Sequence, residues 1–100
     1  MTIAKTVEES TVNLTLSGRL DTVTAPQLSS EIEAILKSGS YNLVFDFEKL
    51  EYISSAGLRI MLAAQKSING IGTKMEIRNM SETVKEVFDM TGFSGILTII

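Results

Sequence analysis

Leu43-Val44-Phe45-Asp46-Phe47 and, five residues on, Tyr52-Ile53-Ser54-Ser55-Ala56-Gly57-Leu58 decide the fold. The first is a nearly continuous apolar run interrupted by Asp46, the mark of a central strand buried on both faces. The second leaves that strand by a short loop and opens a helix, with Leu58, Met61, Leu62 and Ile68 at helical spacing. Asn69-Gly70-Ile71-Gly72 stops that helix. A buried strand feeding directly into an amphipathic helix is one half of a β-α-β unit.

Working towards the N-terminus, Pro26 stands where a helix begins, because its missing N–H costs nothing in a first turn. Leu28, Ile32, Ile35 and Leu36 share one helical face, with Lys37 in the last turn and Gly39 as cap. Before that helix, Val12, Leu14 and Leu16 alternate with Asn13, Thr15 and Ser17, a strand with one wet face that Gly18 ends. Ile3 to Val7 pairs with it across a Glu8-Glu9-Ser10-Thr11 turn. Towards the C-terminus, Met75 and Ile77 mark a short strand. Ser81 caps a third helix that turns Val84, Val87 and Phe88 inward and stops at Gly92. Ile96 to Ile100 reads as a final short strand. The order β-β-α-β-α-β-α-β predicts an α/β fold, a mixed sheet packed by three to four helices, with right-handed crossovers.

The 100 residues suffice for one core and are too few for two. Nine Lys and Arg against twelve Asp and Glu leave a net charge of −3, which provides no electrostatic footprint for nucleic acid or anionic lipid. Cysteine and histidine are both absent. Disulfides, thiolate metal sites, cysteine nucleophiles and the Ser-His-Asp triad are thereby excluded. No apolar run of about 18 residues spans a membrane, and the first residues lack the pattern of a signal peptide. The expected compartment is the cytoplasm.

Three sites have the residues for chemistry. Ser54-Ser55-Ala56-Gly57 sits at a helix mouth, where a serine serves first as a cap. The same free N–H groups and partial positive charge tolerate a phosphate on the hydroxyl. A hydrolase elbow needs glycine two residues either side of the nucleophile. Gly57 satisfies this for Ser55 and Ile53 does not. Asp21 reads as a turn residue and Asp46 as a satisfied polar group; two carboxylates are too few for a metal site. Gly39 and Gly70-Ile71-Gly72 lie in turns with no P-loop spacing.

The chain resembles the STAS domain, within it the bacterial anti-sigma factor antagonists of sporulation and stress response. The likeness rests on Ser17-Gly18-Arg19-Leu20-Asp21 with Thr24-Ala25-Pro26-Gln27-Leu28, on Leu50-Glu51-Tyr52-Ile53-Ser54-Ser55-Ala56-Gly57-Leu58, and on Val84 to Phe93. The resemblance implies one STAS domain over residues 1–100 and a phosphoprotein that regulates transcription by partner switching rather than an enzyme. It makes Ser55 the phosphoacceptor. Ser54 stands where the family has aspartate, so two hydroxyls lie side by side, and the resemblance leaves open whether Ser54 competes for the phosphate. Asp21, Ser54, Ala56, Gly57 and Asp46 are implied at the partner-binding surface, with Asp46 near the switch serine. The implied partners are an anti-sigma factor serine kinase and a reactivating serine phosphatase, with no cofactor in this chain, no metal, no direct nucleic acid and no membrane. Two alternatives remain: a small STAS subunit of an ATP-driven lipid transporter, docking through its second helix, and a histidine-free enzyme acting on a nucleotide through Asp21 and Asp46.

Overall fold

A computed structural model describes residues 1–100. The chain forms β1 (Thr2–Glu8), β2 (Thr11–Leu20), α1 (Ala25–Ser38), β3 (Asn42–Ile53), α2 (Ser55–Ile71), β4 (Met75–Arg78) and α3 (Glu82–Thr91), then one 3-10 turn, Phe93–Gly95. The sheet order is β1-β2-β3-β4. β1 pairs antiparallel with β2, and the other two pairings are parallel. The α/β class and the mixed sheet follow the sequence expectation.

Both crossovers step in the same direction along the sheet, so their common hand sets α1 and α2 side by side on one face. Their residues accordingly line a shared groove. α3 reaches the same layer, where Phe88 meets Phe47 at 6.4 Å between ring centroids. One covered face explains the burial pattern. Val12, Leu14 and Leu16 of β2 and Leu43, Phe45 and Phe47 of β3 are buried, while Val44 and Asp46 between them are only half-buried. The expectation of a strand buried on both faces is therefore corrected: the apolar run is continuous in composition, but its sides differ.

β3 is also longer than its periodicity suggested. Its core positions run Leu43, Phe45, Phe47, then Leu50 and Ile53. The step lengthens from two residues to three because β3 bulges twice against β2. Thr15 pairs with Asp46 but Ser17 with Lys49, and Gly18 pairs with Leu50 but Arg19 with Tyr52. Each bulge adds a residue and sharpens the twist. Gly18, expected to end β2, instead carries the strand through at φ +98°, a conformation open to glycine. So β2 and β3 run on together to Leu20 and Ile53, past the end of β4.

The last expected strand, Ile96 to Ile100, is reduced to a single parallel bridge between Ile77 and Ile99. The Leu97 N–H donates to the Phe93 carbonyl at 3.0 Å, which leaves only the final residues to pair. Ile77 and Ile100 donate to Thr98 and Ile77 carbonyls, both at 2.9 Å.

Candidate functional site: the mouth of α2

The joint extension of β2 and β3 builds the site. Leu20 and Ile53 pair at its tip, and the Ser54 N–H donates to the Leu20 carbonyl at 2.9 Å. Ser54 is the N-cap of α2, in extended conformation. Its Oγ accepts from the Gly57 N–H at 3.4 Å and its carbonyl from the Leu58 N–H at 3.0 Å. The Ser54 N–H, its carbonyl and its hydroxyl oxygen thus each have a partner. Ser55, the first helical residue, is exposed, and no side-chain hydrogen bond holds its hydroxyl. Beside it, the Ser55 and Ala56 N–H groups have no carbonyl four residues back to bond. They concentrate the positive end of the α2 dipole.

The Asp21 loop closes the site from the β2 side. Asp21 Oδ1 accepts from the Val23 N–H at 3.0 Å, the Thr24 N–H at 3.1 Å and the Thr24 hydroxyl at 3.2 Å. In return the Asp21 N–H donates to Thr24 Oγ1 at 2.9 Å, and the Asp21 carbonyl accepts from the Ala25 N–H at 2.8 Å, starting α1. The Thr24 N–H above all, with those of Val23 and the Thr24 hydroxyl and with Arg19 nearby, holds the Asp21 carboxyl below its usual pKa against a smaller opposing effect of burial. Arg19 Nε lies 3.7 Å from Asp21 Oδ2, and its guanidinium sits 4.2 Å above the Tyr52 ring. That stacking ties β2 to β3 on the open face, one residue before the tip.

Asp21, Ser54, Ser55 and Ala56 therefore converge at one end of the sheet. Gly57 belongs to the same turn but is buried: a Cβ there would stand 2.7 Å from Leu20 Cγ and 2.9 Å from Ile53 Cγ1. It seats the helix on the strand tips, so its part in the site is to place the first turn of α2. Asp46 is not brought in. It lies seven positions before Ile53, roughly 20 Å along the strand, and its Oδ1 accepts from the Glu48 N–H at 3.0 Å and Asn79 Nδ2 at 3.2 Å. It secures the first bulge and the end of β4. Its expected position near the serine fails because the bulged strand runs on past it.

Sequence reasoning left out Arg19, Tyr52 and Val23. The first two stood inside the quoted blocks, but pairing across strands is not readable from one strand's period. Val23, 85% exposed in the Asp21 loop, is a lone apolar residue in a polar turn, and that was a legible signal. No group of three His, Cys, Asp or Glu side chains gathers to hold a metal ion, and no helix is long and apolar enough to cross a membrane.

The domain is thus an α/β sandwich of sheet and helices that displays a free serine at the mouth of its second crossover helix, beside a carboxylate-pinned loop. Residues 2–100 match the STAS domain profile, and the chain belongs to that family. It is 33% identical over 84 residues to the "Putative anti-sigma factor antagonist BtrV" of Bordetella bronchiseptica; the match covers 84% of this chain and 72% of that protein. It is 21% identical to the anti-sigma-B factor antagonist of Staphylococcus aureus across 99% of this chain and 92% of the relative. Among solved structures it is similar to the anti-sigma factor antagonist SpoIIAA in unphosphorylated form, with TM-score 0.86 and 22% identity over 99% of this chain and 88% of the other. The phosphorylated form of SpoIIAA, a Bacillus cell fate determinant, matches with TM-score 0.78 and 22% identity over 99% and 91%.

Proposed function

We propose that this STAS-domain protein is an anti-sigma factor antagonist switched by phosphorylation of Ser55. Unmodified, the surface formed by Ser55, Ala56, Ser54 and the Asp21 loop binds an anti-sigma factor that is a serine kinase, and so frees the sigma factor that kinase holds. Phosphate on Ser55 weakens the complex, and a serine phosphatase restores it. The observation that carries this reading is the contrast between the two serines: the Ser54 hydroxyl is committed to the helix cap, whereas the Ser55 hydroxyl is exposed and free. The relatives' names support the antagonist role, and SpoIIAA exists in both phosphorylated and unphosphorylated forms.

Phosphate adds about −1.5 to −2 charges. The free amides of the first turn tolerate it locally, so the fold survives the modification. At a closely packed interface the same dianion must be desolvated or repelled. A loss of about 3 kcal/mol weakens binding more than a hundredfold. ATP is bound by the kinase, and this chain supplies the acceptor oxygen alone.

Incubation with ATP and a candidate anti-sigma factor serine kinase, followed by site mapping by mass spectrometry, tests the reading. One phosphate on Ser55, absent from Ser55→Ala and retained by Ser54→Ala, is expected. Phosphate on Ser54 instead refutes the assignment of the acceptor. A chain that neither takes phosphate nor binds that kinase refutes the switch and favours a transporter subunit.

A further inference from the structure

Ser55, Arg59 and Lys66 are exposed residues of α2 that fall on one stripe of the helix, at i, i+4 and i+11. Arg59 stands one turn along from Ser55. In a helix every Cα–Cβ bond tilts towards the N-terminus, so a long side chain covers the turn before its own. The turn before Arg59 is the one that Ser55 opens. Residues four apart on a helix have Cβ atoms about 5–6 Å from each other, a gap that an arginine side chain spans.

Arg59 has no competing partner. The ion pairs in the molecule are Lys5 with Glu31 and Arg19 with Asp21, and Arg59 enters neither. Its neighbours three and four positions away on the helix are Ser55, Ala56, Leu62 and Ala63, none of them acidic. α2 as a whole holds no carboxylate, in a chain of net charge −3. The other arginine at this end of the sheet, Arg19, is held between Asp21 and the Tyr52 ring. An anion that arises on Ser55 therefore meets an unpaired cation at helical spacing. The order is the favourable one, with the anion on the N-terminal side.

We infer that Arg59 is the intramolecular clamp for the phosphate of a modified Ser55. This rests on the proposed phosphorylation of Ser55 and adds the side chain that receives the phosphate. Transfer of the γ-phosphoryl group of ATP forms a bond from phosphorus to Ser55 Oγ, breaks the bond to the ADP oxygen and releases the hydroxyl proton. The monoester loses its second proton near pH 6, and the dianion accepts charge-assisted hydrogen bonds from the planar guanidinium. Phosphorylation then alters the surface at two places. Negative charge appears at Ser55, and the Arg59 side chain, open to solvent in the unmodified domain, is drawn back over the first turn.

The test installs phosphoserine at position 55 during synthesis of the full chain, through an amber codon and a phosphoserine-charged tRNA. Its second ionisation is followed by ³¹P NMR at low salt. Three chains are compared: the parent, Arg59→Gln, and Lys66→Gln, which loses a like charge roughly 16–17 Å along the helix from Ser55. The phosphoserine pKa should lie lower in the parent than in Arg59→Gln by about 0.3–0.5, a two- to threefold change in proton affinity of the size that an i, i+4 ion pair gives. Lys66→Gln should match the parent, and the Arg59 Nε resonance should shift with the same midpoint. Equal values in the parent and Arg59→Gln overturn the clamp. Equal displacements from Arg59→Gln and Lys66→Gln overturn it too, because they reduce the effect to net charge. The phosphate is installed without a kinase, so the two readings fail separately. A kinase that ignores Ser55 refutes the switch and leaves this measurement intact, whereas a chain that is phosphorylated but shows no dependence on Arg59 keeps the switch and loses the clamp.

Discussion

The two ends of α2 differ in how tightly they are held. At the first turn, Gly57 is wedged against Leu20 and Ile53, with a Cβ position 2.7 Å from one and 2.9 Å from the other. At the last turn, Gly70 has no atom within 4 Å of the same position. The Gly72 and Thr73 N–H groups cap this end on the Ile68 carbonyl at 3.0 and 3.2 Å, while the buried Thr73 Oγ1 and, further up the helix, Gln65 Oε1 have no hydrogen-bond partner. The tight end is where Ser55 is displayed. A phosphoacceptor works as a switch only if its surroundings hold still, so that the added charge changes binding and not the fold. α2 is packed tightly at the turn that displays Ser55 and more openly at Gly70.

Gly57→Ala breaks that anchoring most directly. Two buried side chains must move, an overpacking cost of about 1–3 kcal/mol, while the better helix propensity of alanine returns about 1 kcal/mol. A net loss of up to about 2 kcal/mol is expected, and in a domain this size each kcal/mol lowers Tm by about 4–8 °C. Thermal unfolding measures it; an unchanged Tm would mean the first turn is not seated as described. Ser54→Ala acts next. It removes the cap to the Gly57 N–H, a substitution that costs about 0.5–2 kcal/mol at helix N-termini. Because that bond is long at 3.4 Å, a loss of about 0.5–1 kcal/mol is expected. Urea midpoints of the two variants rank them, and a larger loss for Ser54→Ala would reverse the argument that packing, more than capping, fixes the site.

What was legible in the sequence follows the same division. The period of two in Val12, Leu14 and Leu16, the helical stripes and the capping serines placed most elements within a few residues. Ser81 does cap α3, accepting from the Val84 N–H at 3.2 Å. The second half of β3 was not legible, because its bulges stretch the spacing of Phe47, Leu50 and Ile53 to three, a period that belongs to neither strand nor loop. The same stretch hid the pairing of Arg19 with Tyr52 and carried Ser54 far from Asp46. Leu97 misled for a different reason. It is apolar and lies in a strand-like run, but its amide is spent on the preceding turn. The serine pair was legible as a helix mouth. Which hydroxyl is free depends on cap geometry that the sequence leaves open.

At the slack end, Gly70→Ala sharpens the contrast with Gly57. The new methyl group meets nothing, and the unfolded chain loses some freedom. A gain of about 0.5 kcal/mol is expected, less than for a mid-helix site because the helix ends at Ile71. The same substitution at the two glycines of one helix should therefore shift Tm in opposite directions. Shifts of the same sign would show that propensity, and not packing, governs both positions.

The smallest effect belongs to Asp21, and it is a dependence on pH. The carboxylate is 30% exposed, and its ion pair with Arg19 at 3.7 Å is screened by solvent. Its amide bonds from Thr24 and Val23 still favour the charged form, so the folded pKa lies below that of the unfolded chain. Stability from this group is complete above the unfolded value, near 3.9, and drains away as pH falls through the folded pKa. Asp21→Asn keeps an oxygen for the same N–H donors but gives up the charge. It should unfold at a lower urea concentration than the parent at pH 7, and the two midpoints should approach each other at pH 2. A gap that persists undiminished at pH 2 would mean the loop is held by hydrogen-bond geometry alone. The Asp21 side of the site would then owe its order to Thr24, whose single hydroxyl hydrogen lies between the Arg19 carbonyl at 2.8 Å and Asp21 Oδ1 at 3.2 Å, and not to charge.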